Sequence, residues 1–549
     1  MPKRLLSLLL TLCLALPLSA CGQQASGSEL NVCVGDAFHT LDPIYAQDSS
    51  SHTILAHLYE NLMRVTADGT DTAVTTGMAK SVETQENADG TVTYTFQLRT
   101  ARWSDGEKVT AGDFVYAWRR LVDPGTYSPN APMLSVVSGY REVRESGDPS
   151  LLQVEAKSDS VLQVNLDGNY DWFLREVCTS PVTVPLRQDV VRRLKEENAN
   201  QEGNLWWSVP SSLVTNGPYS AGEYAPGSHL ILSRNERYQT SRTGPDRIAF
   251  YFASTAEEAQ TLYEQGAVDA VWPLTEERFT QLSGTAGWEP LPLLETYTVV
   301  YNGDHELLGD VLIRRAFELA LDRNALAAEV GVTGLAAEGV VPPGVPENEE
   351  GDFRSAGGPL LENDPETYPE RCQAARDVLN EAGYSSGSDL GELEYLYVED
   401  GVTGKVALAL TDMWREVLGV TVTARAVTET DLRAALELGE FALAGVKLEA
   451  LGNDAECFLM SWTSDSQDNW AQYESSAYDT LMSIVATTAD GTARMGCLHD
   501  AEALLLEDCA LSPLYTRSTA WELRDSLTGA CRDARGWFSF AGVTAKSTT

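Results

Sequence analysis

The sequence predicts an α/β protein with more than one lobe, and two observations support this. Residues 393–398, 420–424 and 441–446 are short apolar runs, separated by helical patterns at 406–418 and 432–438. Such alternation implies parallel strands joined by helical crossovers, and therefore an open α/β sheet. The second observation is the length. A chain of 549 residues is too long for one hydrophobic core, so two or three lobes are expected.

The amino terminus predicts export. Lys3 and Arg4 are followed by an almost unbroken apolar run over residues 5–16, and Pro17-Leu18-Ser19-Ala20 then precedes Cys21. This is the layout of a secretory signal, too short for a membrane span. The stretch that ends in Cys21 resembles the bacterial lipobox, in which the cysteine sulfur receives a diacylglyceryl group and the mature chain carries acyl groups such as palmitate. The alternative is an ordinary signal with a chance cysteine at the cleavage site.

These features predict how the protein meets the membrane. Residues 1–20 are the expected signal peptide, and residues 21–29 are the lipidated cysteine and a small, polar tether. No later stretch approaches the roughly 18 apolar residues of a spanning helix. We therefore expect a protein held by its lipid at the outer face of the cytoplasmic membrane.

The composition argues against several classes of protein. The net charge of −41 repels nucleic acid and anionic lipid, and no basic patch with interleaved aromatic residues is present. Solubility explains the acidity, and preference for a cationic ligand is the alternative. Removing Cys13 with the signal and lipidating Cys21 leaves an odd number of widely spaced cysteines, without a Cys-x-x-Cys pair. We expect no disulfide framework, no metal, no cofactor and a monomer.

The first half of the chain contains clear local patterns. An apolar strand is expected at residues 30–34, a helix at 53–63 and a half-buried, alternating strand at 91–98. Thr110 is placed to cap a helix, with Asp113 in the capping-box position. The inner face of that helix would be formed by Phe114, Ala117, Trp118 and Leu121.

The topology of the second half suggests a binding site. A helix at 371–382 leads into the strand at 393–398, and the last strand of the series, at 441–446, ends just before residues 447–454. Ligands of open α/β sheets bind beyond the carboxyl ends of the strands. Residues 447–454 are therefore a candidate site, with Lys447 and Asn453 among its polar members.

Catalytic motifs are missing from the sequence. It contains no Gly-x-Ser-x-Gly elbow and no His-Glu-x-x-His, and Gly404-Lys405 is followed by Val406, which has no hydroxyl to bind a metal. An exported hydrolase is the main rival from another class of function. We expect a protein that is not an enzyme.

An ordered series of short motifs then identifies a family. The series resembles the oligopeptide- and dipeptide-binding family of ABC-importer receptors, and the resemblance extends from about residue 30 to about residue 540. Its members are Thr40-Leu41-Asp42-Pro43, Tyr94-Thr95-Phe96-Gln97-Leu98-Arg99, Trp103-Ser104-Asp105-Gly106, Val109-Thr110-Ala111-Gly112-Asp113-Phe114, Thr215-Asn216-Gly217-Pro218-Tyr219, Leu232-Ser233-Arg234-Asn235, Ile313-Arg314-Arg315-Ala316-Phe317, Leu321-Asp322-Arg323, Ala382-Gly383-Tyr384 and Tyr473-Glu474-Ser475-Ser476-Ala477-Tyr478-Asp479.

The resemblance implies a two-lobe clamp of the periplasmic-binding-protein type, class II, with an extra domain and three domains in all. Lobe 1 would combine residues 30–53, 171–296 and 512–545. The extra domain would span residues 54–170, and lobe 2 residues 297–511. A ligand would be buried between the lobes as they close.

The resemblance also implies a function. The protein would capture extracellular peptides for an ABC importer and deliver them to its permease subunits, while separate proteins hydrolyse ATP. Two alternatives remain open at this point. The same fold could bind a non-peptide solute, or the protein could act as a ligand sensor.

The family's peptide anchor is only partly carried over. In relatives, an aspartate just after the strand at 441–446 pairs with the peptide α-amino group, and here Leu451 occupies that position. Leu448 replaces a tryptophan, and Glu449 replaces a cysteine whose disulfide partner aligns with Glu295. Either Glu449 or the neighbouring Asp454 substitutes for the lost aspartate, or the ligand has no free α-amino group.

Four further residues align with the family's ligand-binding positions. Tyr297 and Thr298 align with aromatic residues that line the cleft where the chain crosses between lobes. Asn130 and Met133 align with tyrosines near the ligand in the extra domain. For each of these residues, simple core packing is the alternative.

Overall fold

The structure is a computed structural model that describes most of the chain. The described ranges are 28–68, 71–199, 205–238, 243–285, 288–347, 351–450, 452–466, 468–488 and 490–546. The predicted signal, Cys21 and Leu451 lie outside these ranges. All seven cysteines inside them are free thiols.

The strands, in chain order, are β1 (Glu29–Val34), β2 (Met63–Asp68), β3 (Asp71–Thr76), β4 (Ala79–Glu86), β5 (Val92–Leu98), β6 (Val154–Ser158), β7 (Val161–Leu166), β8 (Tyr219–Ala225), β9 (His229–Arg234), β10 (Arg247–Tyr251), β11 (Ala270–Trp272), β12 (Leu291–Tyr301), β13 (Gly334–Ala336), β14 (Glu392–Val398), β15 (Thr421–Val427), β16 (Leu443–Glu449), β17 (Leu511–Thr519), β18 (Glu522–Leu523), β19 (Leu527–Thr528), β20 (Cys531–Arg532), β21 (Phe538–Ser539) and β22 (Thr544–Ala545).

The α-helices are α1 (Ser49–Leu58), α2 (Ala111–Val122), α3 (Tyr140–Ser146), α4 (Gln188–Glu197), α5 (Ala256–Glu264), α6 (Glu276–Ser283), α7 (Val311–Leu319), α8 (Arg323–Val330), α9 (Phe353–Gly357), α10 (Tyr368–Glu381), α11 (Thr403–Leu418), α12 (Glu429–Leu438), α13 (Glu456–Leu459), α14 (Ser476–Thr487) and α15 (Gly491–Glu507). Within the described ranges, no helix is both long enough and apolar enough to span a membrane.

The first lobe contains two of the three larger sheets. Its six-stranded sheet has the order β18-β11-β1-β10-β9-β8, with β1 parallel to both β10 and β11. An antiparallel sheet of four strands, β4-β5-β7-β6, lies within the range predicted for the extra domain. Buried side chains from both sheets form one continuous hydrophobic cluster, which we call the first core.

The second lobe is built on a six-stranded sheet of order β13-β17-β12-β16-β14-β15. Strand β14 runs parallel to β15 and β16, with α11 and α12 as crossovers, so the predicted open α/β sheet is confirmed. Neighbouring residues of β12 point to opposite faces of this sheet. Val300 packs in what we call the second core, whereas Val299 and Tyr301 pack in the third core on the other face.

Two segments connect the lobes. One runs from β11 of the first sheet, through α6, to β12 of the second. The other is a short link between the end of β17 at Thr519 and the start of β18 at Glu522. Strands β12 and β17 of the second sheet extend beyond the predicted limits of lobe 2, residues 297–511. Strand β12 already begins at Leu291, and β17 continues past residue 512. The crossings therefore lie closer to the first sheet than the predicted limits.

Local predictions hold best where the pattern also satisfies backbone hydrogen bonds. The capping prediction for α2 is confirmed, because the Asp113 carboxylate accepts from the Thr110 backbone N–H at 2.8 Å. The helix predicted over 53–63 is wrong at both ends, since α1 begins at Ser49 and ends at Leu58, and Tyr59 is extended. The backbone beyond it turns away because the Leu62 carbonyl accepts from Gly77 and Ala79.

Candidate ligand-binding site

The candidate site lies where β16 ends beside the start of β12. The sequence predicts a strand ending at residue 446, but β16 continues to Glu449 because it pairs with β12 along its whole length. In this register, Glu449 lies opposite Glu295 and Lys447 lies opposite Tyr297. Paired residues in an antiparallel ladder point to the same face of the sheet. The side chains of Glu295, Tyr297, Lys447 and Glu449 therefore lie on one face of the sheet. Further along β12, the third core packs against this same face.

The charged side chains of this face are compensated in pairs. Lys447 Nζ lies 2.7 Å from Glu449 Oε1, and Arg517 of β17 binds Glu295. The side chain of Glu449 is 60% exposed, whereas that of Glu295 is 11% exposed. Burial opposes the charge on Arg517, but its hydrogen bond to Glu295 raises the pKa of the guanidinium overall. Glu449 and Lys447 are thus the members of this set that are open to a ligand.

Three tyrosines of the third core, Tyr297, Tyr395 and Tyr515, lie beside the charged residues on this face of the sheet. The rings of Tyr297 and Tyr515 are stacked, with centroids 5.1 Å apart and planes at 15°. The hydroxyls of Tyr297 and Tyr395 both lie against Gly445, so closely that a Cβ atom there would collide with each. Burial raises the pKa of both Tyr297 and Tyr395, so both remain protonated. Tyr297 is a buried support of the site.

Two predicted residues face the opposite side of the sheet. Thr298 is fully buried, and its hydroxyl donates to the Val299 carbonyl at 3.2 Å. Leu448 packs in the second core. The structure thus separates Thr298 and Leu448 from Lys447 and Glu449, because successive side chains of a strand point to opposite faces.

Two further predicted residues, Asn453 and Asp454, lie in the described part of the loop after β16. Asp454 is buried, and its carboxylate pairs with Arg494 at 2.8 Å and Arg175 at 3.1 Å. With both oxygens bound to guanidinium groups, Asp454 is not a free anchor for a ligand amine. The Asn453 carbonyl accepts from Arg175 at 3.3 Å, while the buried Oδ1 of Asn453 has no hydrogen-bond partner among the described residues.

The two residues predicted from the extra domain are Asn130 and Met133. Asn130 lies near the loop that follows β1. The Asn130 amide donates to the carbonyls of Ile44 at 3.2 Å and Ala46 at 2.7 Å. Met133 is half-buried against the first core. Asn130 therefore fastens its own loop to the loop after β1.

Backbone groups add a second feature to the site. Beyond Ala444, the edge of β16 that faces away from β12 has no strand partner among the described residues, because β14 pairs only with Leu443 and Ala444. An unpaired strand edge offers N–H and C=O groups to an extended ligand. The segment 445–449 can thus supply main-chain as well as charged contacts.

The motif analysis missed Arg532, which lies on the first lobe. Its guanidinium lies 5.7 Å from the ring centroids of both Trp272 and Phe538, at the carboxyl end of β11. Burial lowers the pKa of Arg532 to about 10, and Glu295 of the second lobe lies within electrostatic range. The carboxylate of the adjacent Asp533 binds Arg535 at 2.9 Å.

Metal binding is not indicated by the arrangement of side chains. Across the ranges that the structure describes, no group of three or more His, Cys, Asp or Glu side chains is arranged to hold an ion.

Comparison with known proteins identifies the family. The sequence profile of the bacterial extracellular solute-binding proteins, family 5 Middle, matches residues 73–482. The chain belongs to this family. Its members are extracellular or periplasmic solute-binding proteins, and the predicted membership is confirmed.

Individual relatives of family 5 extend over most of the chain. The periplasmic oligopeptide-binding protein OppA of Salmonella typhimurium is 29% identical over 494 residues, covering 88% of this chain and 86% of the relative. A probable deoxycholate-binding periplasmic protein of Escherichia coli is 27% identical over 482 residues, covering 87% and 85%. The solved structure of Burkholderia pseudomallei OppA is 25% identical, with a TM-score of 0.71 over 92% of this chain and 96% of that one. The family 5 fold, a two-lobe α/β clamp, is confirmed.

Proposed function

We propose that this protein is the peptide receptor of an ABC importer. It captures extracellular peptides as its two lobes close and delivers them to the permease subunits. The observation that carries the proposal is the match of the solute-binding family to residues 73–482. Relatives named as oligopeptide-binding proteins cover most of the chain at up to 29% identity, which supports a peptide as the ligand.

The geometry of the second lobe supports the same ligand class. The unpaired edge of β16 can form main-chain hydrogen bonds that do not depend on the peptide's sequence. Glu449 can meet a cationic group and Lys447 an anionic one, since both are substantially exposed. In this proposal the ligand contacts the segment 445–449 together with Asn453, with Tyr297 as the buried support. Thr298, Leu448, Asp454, Asn130 and Met133 act through packing.

A non-peptide solute is the second candidate. Leu451 stands where the family's amine anchor is expected, and one relative is named as a probable deoxycholate-binding protein. An apolar residue at that position would suit a ligand without an α-amino group. The two candidates differ in whether a charged end is recognised, and this can be measured.

The remaining features of the proposal concern location and organisation. The protein would be a monomer, held by acyl groups on Cys21 at the outer face of the cytoplasmic membrane, and it would carry out no catalysis. Residues 54–170 would form the extra domain of the first lobe. The crossings between lobes would lie at 273–290 and 520–521, where the chain leaves one sheet and enters the other. Mass analysis of the mature protein tests for acyl groups on Cys21.

Native mass spectrometry on residues 22–549 tests the ligand class directly. The protein is weighed before and after mild denaturation, and each released species is added back to the emptied protein. A ladder of short peptides that raise the unfolding free energy, by about 2.7 kcal/mol at a hundredfold excess over Kd, supports the peptide receptor. A single non-peptide species supports the second candidate instead.

A further inference from the structure

A buried network of charged groups joins the two lobes beside the candidate site. Trp172 packs in the first core, on the first lobe. Asp454 and Glu456 follow β16 on the second lobe, where the intervening Ala455 packs in the second core. Arg494, on α15, is 1% exposed and lies between these two carboxylates. The network therefore begins in the loop that directly follows the ligand-binding strand.

The network has one set of contacts within the second lobe and another set that joins the two lobes. On the second lobe, Arg494 Nη2 lies 2.8 Å from Asp454 Oδ1 and 2.7 Å from Glu456 Oε2. From the first lobe, Trp172 Nε1 donates to Glu456 Oε2 at 3.0 Å, and Arg175 Nη2 donates to Asp454 Oδ2 at 3.1 Å. Separating the lobes breaks the Trp172 and Arg175 contacts but keeps those of Arg494.

The network continues into the first lobe. Glu176 accepts from Arg175 Nε at 3.1 Å and pairs with Arg535 Nε at 3.1 Å, and Arg535 in turn pairs with Asp533 at 2.9 Å. Gly452 of the second lobe packs directly onto Glu176, because a Cβ atom at Gly452 would lie 2.6 Å from the Glu176 Cγ. The loop after β16 thus rests on the first lobe through close packing as well as charge.

Four carboxylates of the network form ion pairs with three guanidinium groups. Residues Asp454, Glu456, Glu176 and Asp533 are 2 to 8% exposed. Within the described ranges their ion pairs are with Arg175, Arg494 and Arg535, and Arg532 lies within electrostatic range of Asp533. Burial, opposed in part by Arg494 and reinforced by Asp454, raises the pKa of Glu456 to about 7. The other titratable groups that face the network are Tyr170 and Cys457 near Glu456, and His52 near Arg535.

We propose that this network is a proton-dependent latch between the lobes, in which closure places Trp172 and Arg175 against Glu456 and Asp454 while Glu456 takes up one proton. The proton comes from solvent and binds Glu456 Oε1, since Oε2 already accepts from Trp172 and Arg494. In the open form Glu456 regains water and loses its proton. Trp172 and Arg175 are positioning residues, because their contacts are with the loop after β16 and not with the segment 445–449.

The direction of the pH effect follows from linkage. The closed form binds the proton more tightly than the open form, so closure is favoured as the pH falls through the closed-form pKa of about 7. With an ordinary glutamate pKa in the open form, the closing equilibrium shifts about tenfold between pH 8 and pH 6. The latch rests on the proposed function only in its assumption that the lobes open and close.

Small-angle X-ray scattering on ligand-free residues 22–549 tests the latch without knowledge of the ligand. We expect a smaller radius of gyration at pH 6 than at pH 8. Glu456→Gln, which keeps the shape but not the charge, should be equally compact at both values. Arg175→Met should be more open at both pH values.

Arg415→Met is the control for the scattering experiment. It removes an exposed ion pair on α11 and should behave as the wild type. Trp172→Phe is a milder second variant, which we expect to weaken closure. Near-ultraviolet circular dichroism checks that each variant is folded.

Peptide affinity provides the second readout. If peptides bind, we expect about tenfold tighter binding at pH 6 than at pH 8, and no such change in Glu456→Gln. A wild type with the same radius of gyration at both pH values overturns the latch, as does a Glu456→Gln protein that keeps the full pH response. A protein that binds no peptide counts against the proposed function alone, since the scattering comparison still decides on the latch.

Discussion

Glu295 and Glu449 lie directly opposite each other on adjacent antiparallel strands, and each is paired with a cation of its own. Glu295 binds Arg517 and is largely buried, whereas Glu449 binds Lys447 and is mostly exposed. The resemblance to the family places a disulfide at these two positions, and the register confirms that they are neighbours. Two like charges so close are unfavourable unless compensated. Each of the two carboxylates is therefore compensated by a cation of its own.

Replacing Glu449 with glutamine should weaken ligands that have a cationic end. The loss of charge is expected to reduce affinity about tenfold, or about 1.4 kcal/mol, because Glu449 is the exposed carboxylate beside the unpaired edge of β16. Isothermal titration with a peptide and its N-acetylated form measures the effect, which should vanish for the acetylated peptide. Glu437→Gln, in an exposed pair on α12, is the control. Unchanged affinity for the free peptide would remove Glu449 from the site.

Gly445→Ala should destabilise the second lobe. The added methyl group collides with the hydroxyls of Tyr395 and Tyr297, so we expect a loss of about 1 to 3 kcal/mol in the free energy of unfolding. Urea unfolding measures the loss, and adding Tyr395→Phe should recover part of it. Gly496→Ala is the matched control, since a Cβ atom there has open space within α15 and should be neutral or stabilising. Equal effects of the two substitutions would contradict the packing described here.

The buried pair of Arg354 and Glu502 should be needed for stability. Both side chains are almost fully buried, and Glu502 also accepts from the Val341 backbone N–H at 2.8 Å. Arg354→Met leaves that carboxylate buried without its cation, which typically costs about 3 to 5 kcal/mol. Chemical denaturation gives the difference. Arg415→Met removes an ion pair whose side chains are 61% and 55% exposed, and should cost at most about 1 kcal/mol.

The His57 ring should stay neutral at pH values well below the usual pKa of histidine. Burial lowers the pKa of His57 to about 4, although its hydrogen bond to the Thr53 carbonyl opposes the shift. The folded state then binds fewer protons than the unfolded state, so this group's contribution to stability is present above pH 6.5 and is lost as the pH falls toward 4. The full contribution is about 3 kcal/mol. Proton NMR of the His57 ring measures the pKa, and a midpoint near 6.5 would contradict the buried environment.

Patterns of neighbouring residues determined much of this protein's architecture. Apolar periodicity was sufficient for β14, α11, β15 and α12, because each element hides one face and exposes another whatever its partners are. The capping box at Thr110 and Asp113 is likewise local, since both groups belong to one helical turn. The ordered motifs predicted the family for the same reason, since each is a short run of adjacent residues.

Only the tertiary structure decided what each candidate side chain does. Residue 454 is an acid in a plausible loop by sequence, yet its carboxylate is bound by Arg175, 279 residues earlier, and by Arg494, 40 residues later. Asp533 likewise binds Arg535 and leaves the adjacent Arg532 to the rings of Trp272 and Phe538. The pairing of Arg175 with Asp454 depends on which surfaces meet when the two lobes pack. A buried charge selects its partner by distance and desolvation, and neither quantity is present in a linear pattern of residues.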